Sequence, residues 1–330
     1  MRLFPHLPAR TIGLASAVIT VGIWAAFIVI ARASAKGALS PFDIALCRIV
    51  GASLVLIPLA AWWMRQAARQ NTPQSSSFFG LSPLNARITA VCGVFGGFLY
   101  AGLSYAGFFY APAAHASVLM PGSLPLWTSL LALLILKDRI TLKRALGLAC
   151  ILLGDLLVGG SSLLKAFEGG EVWKGDVLFM SAAFSWSAYS VLVRRYALEA
   201  VRATAAITVF ALFTYVPMYA LLLAGDVLHS QLMTAPWEQI VFQALFQGVG
   251  SVVISGITFT QMIRHYGPVR STMITALVPG LSALGAVVFL GEPLGWHLVL
   301  GLVSVTAGIV FGVQGVAIKK EAALTAKAGA

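Results

Sequence analysis

Two ionisable side chains sit inside long apolar runs, Arg48 in "IALCRIVGASLVLI" and Asp155 in "ACILLGDLLVGG". A charge in hydrocarbon costs at least about 2.5–3.5 kcal/mol on insertion scales, so each must face protein or a watery cavity and find a partner. Arg48 stands roughly 10 Å deep at 1.5 Å per residue. It suits an anion or carboxylate contact or a gating ion pair, and equally a structural Arg bonded to carbonyls or snorkelling to the surface. Asp155 lies about 7–8 Å from the end of its run at Gly160. Its similar depth makes an Arg48–Asp155 pair one expectation, a protonatable coupling group a second, and a structural or interfacial carboxylate a third.

The other candidates are uncharged or weakly basic. Trp24 and Trp186 lie mid-run, the second beside Ser185, Ser187 and Tyr189, where they either stack an apolar or aromatic ligand or simply pack helices. Ser104, Tyr105, Thr258 and Gln261 are candidate cavity groups, against the ordinary alternative of interhelical hydrogen bonds. His115 is a candidate proton-sensitive gate or an incidental interfacial His. Pro121, Pro125 and Pro279 remove backbone donors, so those helices should bend; Pro125 and Pro279 read as paired hinges or static kinks. Cys47, Cys92 and Cys150 all fall in apolar runs, where a free Cys acts as a small hydrophobe, so neither a disulfide framework nor a metal site is expected. No cofactor is expected either: "GVGSVV" at Gly248 lacks the third Gly of a dinucleotide loop, and no P-loop or H-E-x-x-H occurs.

The elements that must position these residues follow from composition. Hydrophobic residues make up 59% of the 330 and charged ones 10%, against about a quarter charged in soluble domains. Ten runs are long enough, at roughly 20 residues, to cross a bilayer as helices: 11–33, 41–63, 87–109, 114–136, 142–160, 174–196, 203–224, 240–263, 269–290 and 296–316. Arg65 to Ala86, rich in Ser, Gln and Asn, is expected to be a mobile loop, and 317–330 a short disordered cytoplasmic tail. The first run follows Arg2 and Arg10 and ends in "ARASA", like a signal peptide, but it is too long for an ordinary h-region and reads as a retained helix.

A net charge of +11 would suggest nucleic acid in a soluble protein, but these charges are scattered among short connections without interleaved aromatics, so no nucleic acid partner is expected. Positive connections stay cytoplasmic. With the N-terminus inside, seventeen of the 22 Lys and Arg fall on the inner side and four (Arg32, Lys36, Lys165, Lys174) outside, leaving Arg48 within a helix. Both termini are therefore expected in the cytoplasm, with the chain multi-pass in the inner membrane.

Sliding the sequence by 154 residues lays runs 3–5 on runs 8–10 without a gap. Gly96 meets Gly250, Gly102 meets Gly256, Ser117 meets Ser271, Pro125 meets Pro279, Gly147 meets Gly301 and Gly154 meets Gly308. The phrases "LKDRITLKRALG" and "LGEPLGWHLVLG" coincide in this register, each with an acid third, Asp138 and Glu292. A shift of 162 pairs Trp24 with Trp186 and Arg32 with Arg194. A five-helix unit enters one leaflet and leaves by the other, so two in tandem are inverted. That explains why the first phrase carries Lys137, Arg139, Lys143 and Arg144 while the second has no Lys or Arg: one faces the cytoplasm and the other does not. The fold class expected is an all-α integral membrane protein, ten transmembrane helices as two inverted five-helix repeats over 11–160 and 174–316.

In "VGIWAAFIVIAR" and "AAFSWSAYSVLVRR", in "LSPFDIALCRIV", and in the closing stretches "LPLWTSLLALLILKDRITLKRALGLACILLGDLL" and "VPGLSALGAVVFLGEPLGWHLVLGLVSVTAGIVFG", the sequence resembles the EamA-type transporters of the drug/metabolite transporter superfamily in their ten-helix form. The resemblance spans about residues 11–316. It implies a transporter, often an exporter, of small organic metabolites such as amino acids or related compounds, with a central cavity formed mainly by helices 1–4 and 6–9 and helix 5 at the periphery. Lys137-Asp138 in place of the usual Gly-Glu, Asp155 in place of an apolar residue, and the absence of a second-half match for Arg48 depart from the pattern.

The function expected is secondary transport by alternating access, which inverted repeats serve. The partners expected are a small amphipathic metabolite, the lipid bilayer and protons as a coupling ion, with exchange or facilitation as the other coupling modes and a homodimer left open. The competing class is an intramembrane enzyme: "LLGD" at Leu152–Asp155 faintly matches intramembrane aspartyl proteases, but no second mid-helix Asp completes a dyad. A channel or receptor is disfavoured by the repeats.

Overall fold

The computed structural model describes residues 9–35, 37–69, 76–166, 170–275 and 277–311. Apolar runs of this length satisfy their backbone groups in a bilayer only by closing them into helices. The described residues form ten: α1 (Ala9–Ala35), α2 (Pro41–Arg69), α3 (Ala86–Tyr110), α4 (Ala113–Leu136), α5 (Leu142–Ala166), α6 (Val172–Arg195), α7 (Ala200–Ala224), α8 (Trp237–Tyr266), α9 (Pro268–Leu290) and α10 (Trp296–Phe311). Among the described residues, eight of them, α1–α4 and α6–α9, are long and apolar enough by length and composition to cross a membrane. No strand occurs among the described residues; the one isolated bridge joins Ser77 and Ser82. The expected end of the last helix at 316 and the tail 317–330 lie outside the described residues.

The polar connection expected to be mobile from Arg65 to Ala86 is corrected in two respects. Its first residues continue α2 to Arg69, and its described part from Ser76 is anchored. Ser77 and Ser82 exchange backbone hydrogen bonds of 3.1 and 3.0 Å, the Ser82 and Thr89 hydroxyls meet at 2.7 Å, and Arg202 donates to the Pro83 carbonyl at 2.6 Å. Phe78 packs edge-on against Phe210, 6.0 Å between ring centroids. This aromatic within a polar stretch gains more by covering α7 than by staying in water.

Helix ends follow local chemistry. Asn85 caps α3 by accepting from the Ile88 N–H at 2.9 Å, and Glu199 caps α7 through the Arg202 N–H. α4 closes on Lys137 in the left-handed region (φ 57°) and α9 on Gly291 (φ 64°). The next N–H then reaches back six residues, Asp138 to Ala132 O and Glu292 to Ala286 O, each 3.2 Å, so each helix stops on a left-handed residue. Inside the bundle, α3 widens into π-helical turns at Val94–Leu99, α4 at Val118–Gly122 and α8 at Ala244–Ile254. Each segment carries paired glycines or a proline, which weaken the regular ladder. The helix is interrupted at Ser123 and again at Thr275, just before Pro125 and Pro279, so both prolines occupy a first turn where a missing N–H costs nothing.

The two halves of the chain interlock. α1 packs on α8 and α9, α2 on α7 and α8, and α3 on α6 and α7. Close crossings use small residues, as membrane helices do where lipid offers no hydrophobic drive. A Cβ on Gly248 would lie 2.9 Å from the Arg48 carbonyl, fixing α2 against α8, and one on Gly107 would lie 2.5 Å from the Phe179 ring, fixing α3 against α6. At the α5–α10 crossing Gly154 faces Gly301, with a Cβ on Gly154 2.7 Å from the Gly301 carbonyl, while Gly308 abuts the Gly147 carbonyl.

Candidate functional site

Two adjoining cavities occupy the bundle interior, with Trp186 in the wall of both. The first is aromatic: Trp24 and Phe27 from α1, Tyr100 from α3, Pro121 from α4, Trp186 from α6 and Val278 from α9. The second is lined by Arg48 from α2, Gly96 and Gly97 from α3, Trp186, Thr208 from α7 and Ser251 from α8. α1–α4 and α6–α9 contribute lining residues, α5 and α10 none, and the π-helical turns of α3, α4 and α8 all reach a cavity wall.

Arg48 is buried, donates to Ser251 Oγ at 3.0 Å, and holds its guanidinium carbon 5.6 Å from the centroid of the Phe27 ring. The Tyr105 hydroxyl, which makes no well-formed hydrogen bond, faces the same guanidinium. Among the described residues no carboxylate lies within ion-pairing distance of Arg48. Trp186 packs against Tyr100 (4.7 Å), Tyr189 (5.2 Å) and Trp24 (5.8 Å, edge-on); its Nε1 has no acceptor, nor is the Thr208 hydroxyl paired. Trp24 donates from Nε1 to Ser255 Oγ at 3.3 Å.

The remaining candidates fall elsewhere. Tyr189 is fully buried behind the cavities, its hydroxyl 3.4 Å from Thr260 Oγ1. Ser104 bonds back to the Tyr100 carbonyl at 2.6 Å. Thr258 joins α8 to α1 through Thr20 at 2.8 Å, and half-buried Gln261 lines neither cavity. Asp155 is buried with both carboxylate oxygens unpartnered and lines neither cavity, so no Arg48–Asp155 pair is formed. His115 Nδ1 pairs with Asp176 Oδ1 at 2.8 Å, linking the starts of α4 and α6. Pro125 and Pro279 start their helix pieces next to the interior rather than lining it.

Polar contacts close both ends of the bundle. At the His115 end, Arg32 Nε meets Glu292 Oε1 at 2.9 Å while Arg32 Nη1 donates to the Phe108 carbonyl at 2.8 Å. Nearby, Asp43 accepts from Tyr219, Ser230 and the Gln231 N–H at 2.5–3.0 Å. At the other end, Arg194 Nη1 lies 3.4 Å from Asp138 Oδ2 and Arg264 Nη1 3.9 Å from Glu199 Oε1. The first closure is the drier: side-chain exposure is 19% and 11% for Arg32 and Glu292, against 48% and 30% for Arg194 and Asp138.

Ser251, Thr208, Phe27 and Tyr100 were not among the candidates from sequence, because single hydroxyls or aromatics in an apolar helix have no distinguishing spacing. The Arg32–Glu292 pair did have a signal. The register matched Arg32 with Arg194 and Asp138 with Glu292, and crossing the two matches yields both ion pairs.

Interlocked helices long and apolar enough to cross a membrane mark a multi-pass membrane protein. The chain belongs to the EamA-like transporter family, whose model matches it twice, over residues 11–160 and 173–313, and so falls among transporters of the drug/metabolite superfamily rather than enzymes. It is 26% identical over 227 residues to the uncharacterized transporter YyaM of Bacillus subtilis, covering 68% of this chain and 72% of that one. It is likewise 26% identical over 218 residues, 64% of this chain and 71% of the other, to a protein of Salmonella typhimurium described as a probable amino-acid metabolite efflux pump. A solved crystal structure of a protein 20% identical matches with TM-score 0.56 over 92% of this chain and 96% of that one, a likeness of fold alone.

Proposed function

We propose that the chain is a secondary transporter that exports small amphipathic metabolites, amino acids or related compounds, across the inner membrane. It would work by alternating access between two inverted five-helix halves, with both termini cytoplasmic. The observation that carries this reading is an exchange of contacts. In the register of the repeat, Arg32 corresponds to Arg194 and Glu292 to Asp138, so the ion pair at one end is the counterpart of the ion pair at the other. Gly154 with Gly301 and Gly147 with Gly308 exchange in the same way at the α5–α10 crossing. Contacts of the form i with j′ and j with i′ are what a two-fold relation between halves generates.

Such a relation supplies a two-state device. One set of contacts shuts one face, its counterpart shuts the opposite face, and the halves rock about the cavities between them. The positive-inside assignment makes the Arg32–Glu292 end the outer one, and its shorter, drier contacts support an outer gate shut more firmly than the inner. The cavity walls carry no Asp, Glu or His, which favours substrate exchange or facilitation over a proton carried inside the cavity. The name of the Salmonella relative supports export.

A resistance screen tests the reading. Cells expressing the wild-type chain should tolerate otherwise inhibitory amphipathic metabolites, and cells expressing Arg48→Ala should not. Equal resistance in both discards Arg48 as a transport residue, and no resistance in either discards export.

A further inference from the structure

Resting on the cavity reading above, and narrowing its substrate class from amino acids to related compounds that lack the amino group, we infer that the site is built for an amphipathic monocarboxylate without an ammonium group, its carboxylate at Arg48 and its apolar body against Trp186 and Trp24. The polar groups of the second cavity that lack partners can all donate, the Trp186 N–H only so and the Thr208 hydroxyl as well as accepting. Arg48 has a single hydroxyl acceptor and an aromatic face where a buried cation calls for a carboxylate. The Trp186 N–H and the Thr208 hydroxyl, both on residues at least nine-tenths buried, have none. A bound carboxylate offers two oxygens and about four lone-pair sites to this set, and its bonds to a guanidinium are the charge-assisted kind.

The same walls offer an ammonium aromatic faces but no acid to pair with. No Asp or Glu lines either cavity, and Ser251 Oγ already accepts from Arg48. A zwitterionic amino acid would bring a positive charge into a site already holding one, with nothing acidic to meet it. Across Trp186 the first cavity offers indole and phenyl faces and no charge, which suits an aryl or branched aliphatic body.

The test compares three ligands on the purified full-length chain in lipid nanodiscs by equilibrium dialysis: 3-phenylpropanoate, L-phenylalanine and 2-phenylethylamine, which carry carboxylate only, both groups, and amine only. The expected order is 3-phenylpropanoate tighter than phenylalanine by about tenfold or more, as leaving a buried charge unpaired demands, with the amine unbound. Thr208→Val, which keeps size and charge balance, should weaken 3-phenylpropanoate by about threefold to tenfold. Phenylalanine binding as tightly as 3-phenylpropanoate, or no binding of 3-phenylpropanoate, overturns the inference. Should Arg48→Gln and Trp186→Ala both bind 3-phenylpropanoate like wild type, the cavity itself is not the site and the underlying reading falls with it.

Discussion

Arg32 and Glu292 lie 260 positions apart in the chain and meet at 2.9 Å where the ends of α1 and α9 converge. Their register counterparts, Arg194 and Asp138, meet at 3.4 Å at the opposite end. The drier pair should matter more, since exposed ion pairs are worth about 0–1 kcal/mol while breaking a well-buried one costs about 3–5. Glu292→Gln is expected to cut transport about tenfold and to raise labelling of a cysteine placed at Ala113 by an external, impermeant maleimide. Asp138→Asn should change transport less than about threefold. The double reversal Arg32→Glu/Glu292→Arg should recover part of the loss; no recovery, with both proteins folded, removes the pair from gating.

The α5–α10 crossing is expected to tolerate nothing larger than glycine. A Cβ on Gly301 would lie 2.5 Å from Val158 and 3.0 Å from the Gly154 carbonyl, whereas one on Gly280 meets nothing within 4 Å. Gly301→Val should lower the detergent melting temperature by the equivalent of about 1–3 kcal/mol, and Gly280→Ala should leave it unchanged or slightly raised. Equal melting temperatures for the two would contradict the crossing.

Lys137 holds the left-handed conformation that Gly291 holds at the matching helix end. A side chain there costs roughly 1–2 kcal/mol. Lys137→Gly should therefore stabilise the protein by a fraction of that, offset by unfolded-state entropy, and Gly291→Ala should destabilise it; thermal unfolding in detergent reads both.

Asp155 bears a carboxylate with no partner, buried away from both cavities. Asp155→Asn is expected to keep wild-type transport and its pH dependence while raising thermal stability, because a buried charge of this kind costs about 2.5 kcal/mol or more. Loss of pH dependence in the variant would assign Asp155 a coupling role.

Much of this was legible before any coordinates. Apolar runs forced into helices by an apolar solvent show their ends where Gly, Pro and charge appear, so most of the ten expected helices lie within a few residues of those observed, α2 and α5 running furthest beyond their expected ends, to Arg69 and Ala166. Arg48, Trp24 and Trp186 stood out as large or charged groups in apolar helices, and all three line a cavity. Ser104, Thr258 and Tyr189 looked equivalent and do not, because a hydroxyl satisfied by its own helix or a neighbour looks in sequence like one aimed into a cavity. In a bilayer both the lipid face and the packed face are apolar, so periodicity does not say which side of a helix is inside. Arg48 and Asp155 shared a depth but not a side of the bundle, and depth is all that a residue number reports.

Counterflow in proteoliposomes reconstituted with the purified chain tests alternating access most directly. Vesicles preloaded with unlabelled 3-phenylpropanoate should take up the labelled compound faster than empty vesicles and overshoot equilibrium transiently, L-phenylalanine should give a smaller overshoot, and Arg48→Gln should abolish both. Uptake of both compounds that is indifferent to what lies on the far side would mark a channel or a leak and contradict the account.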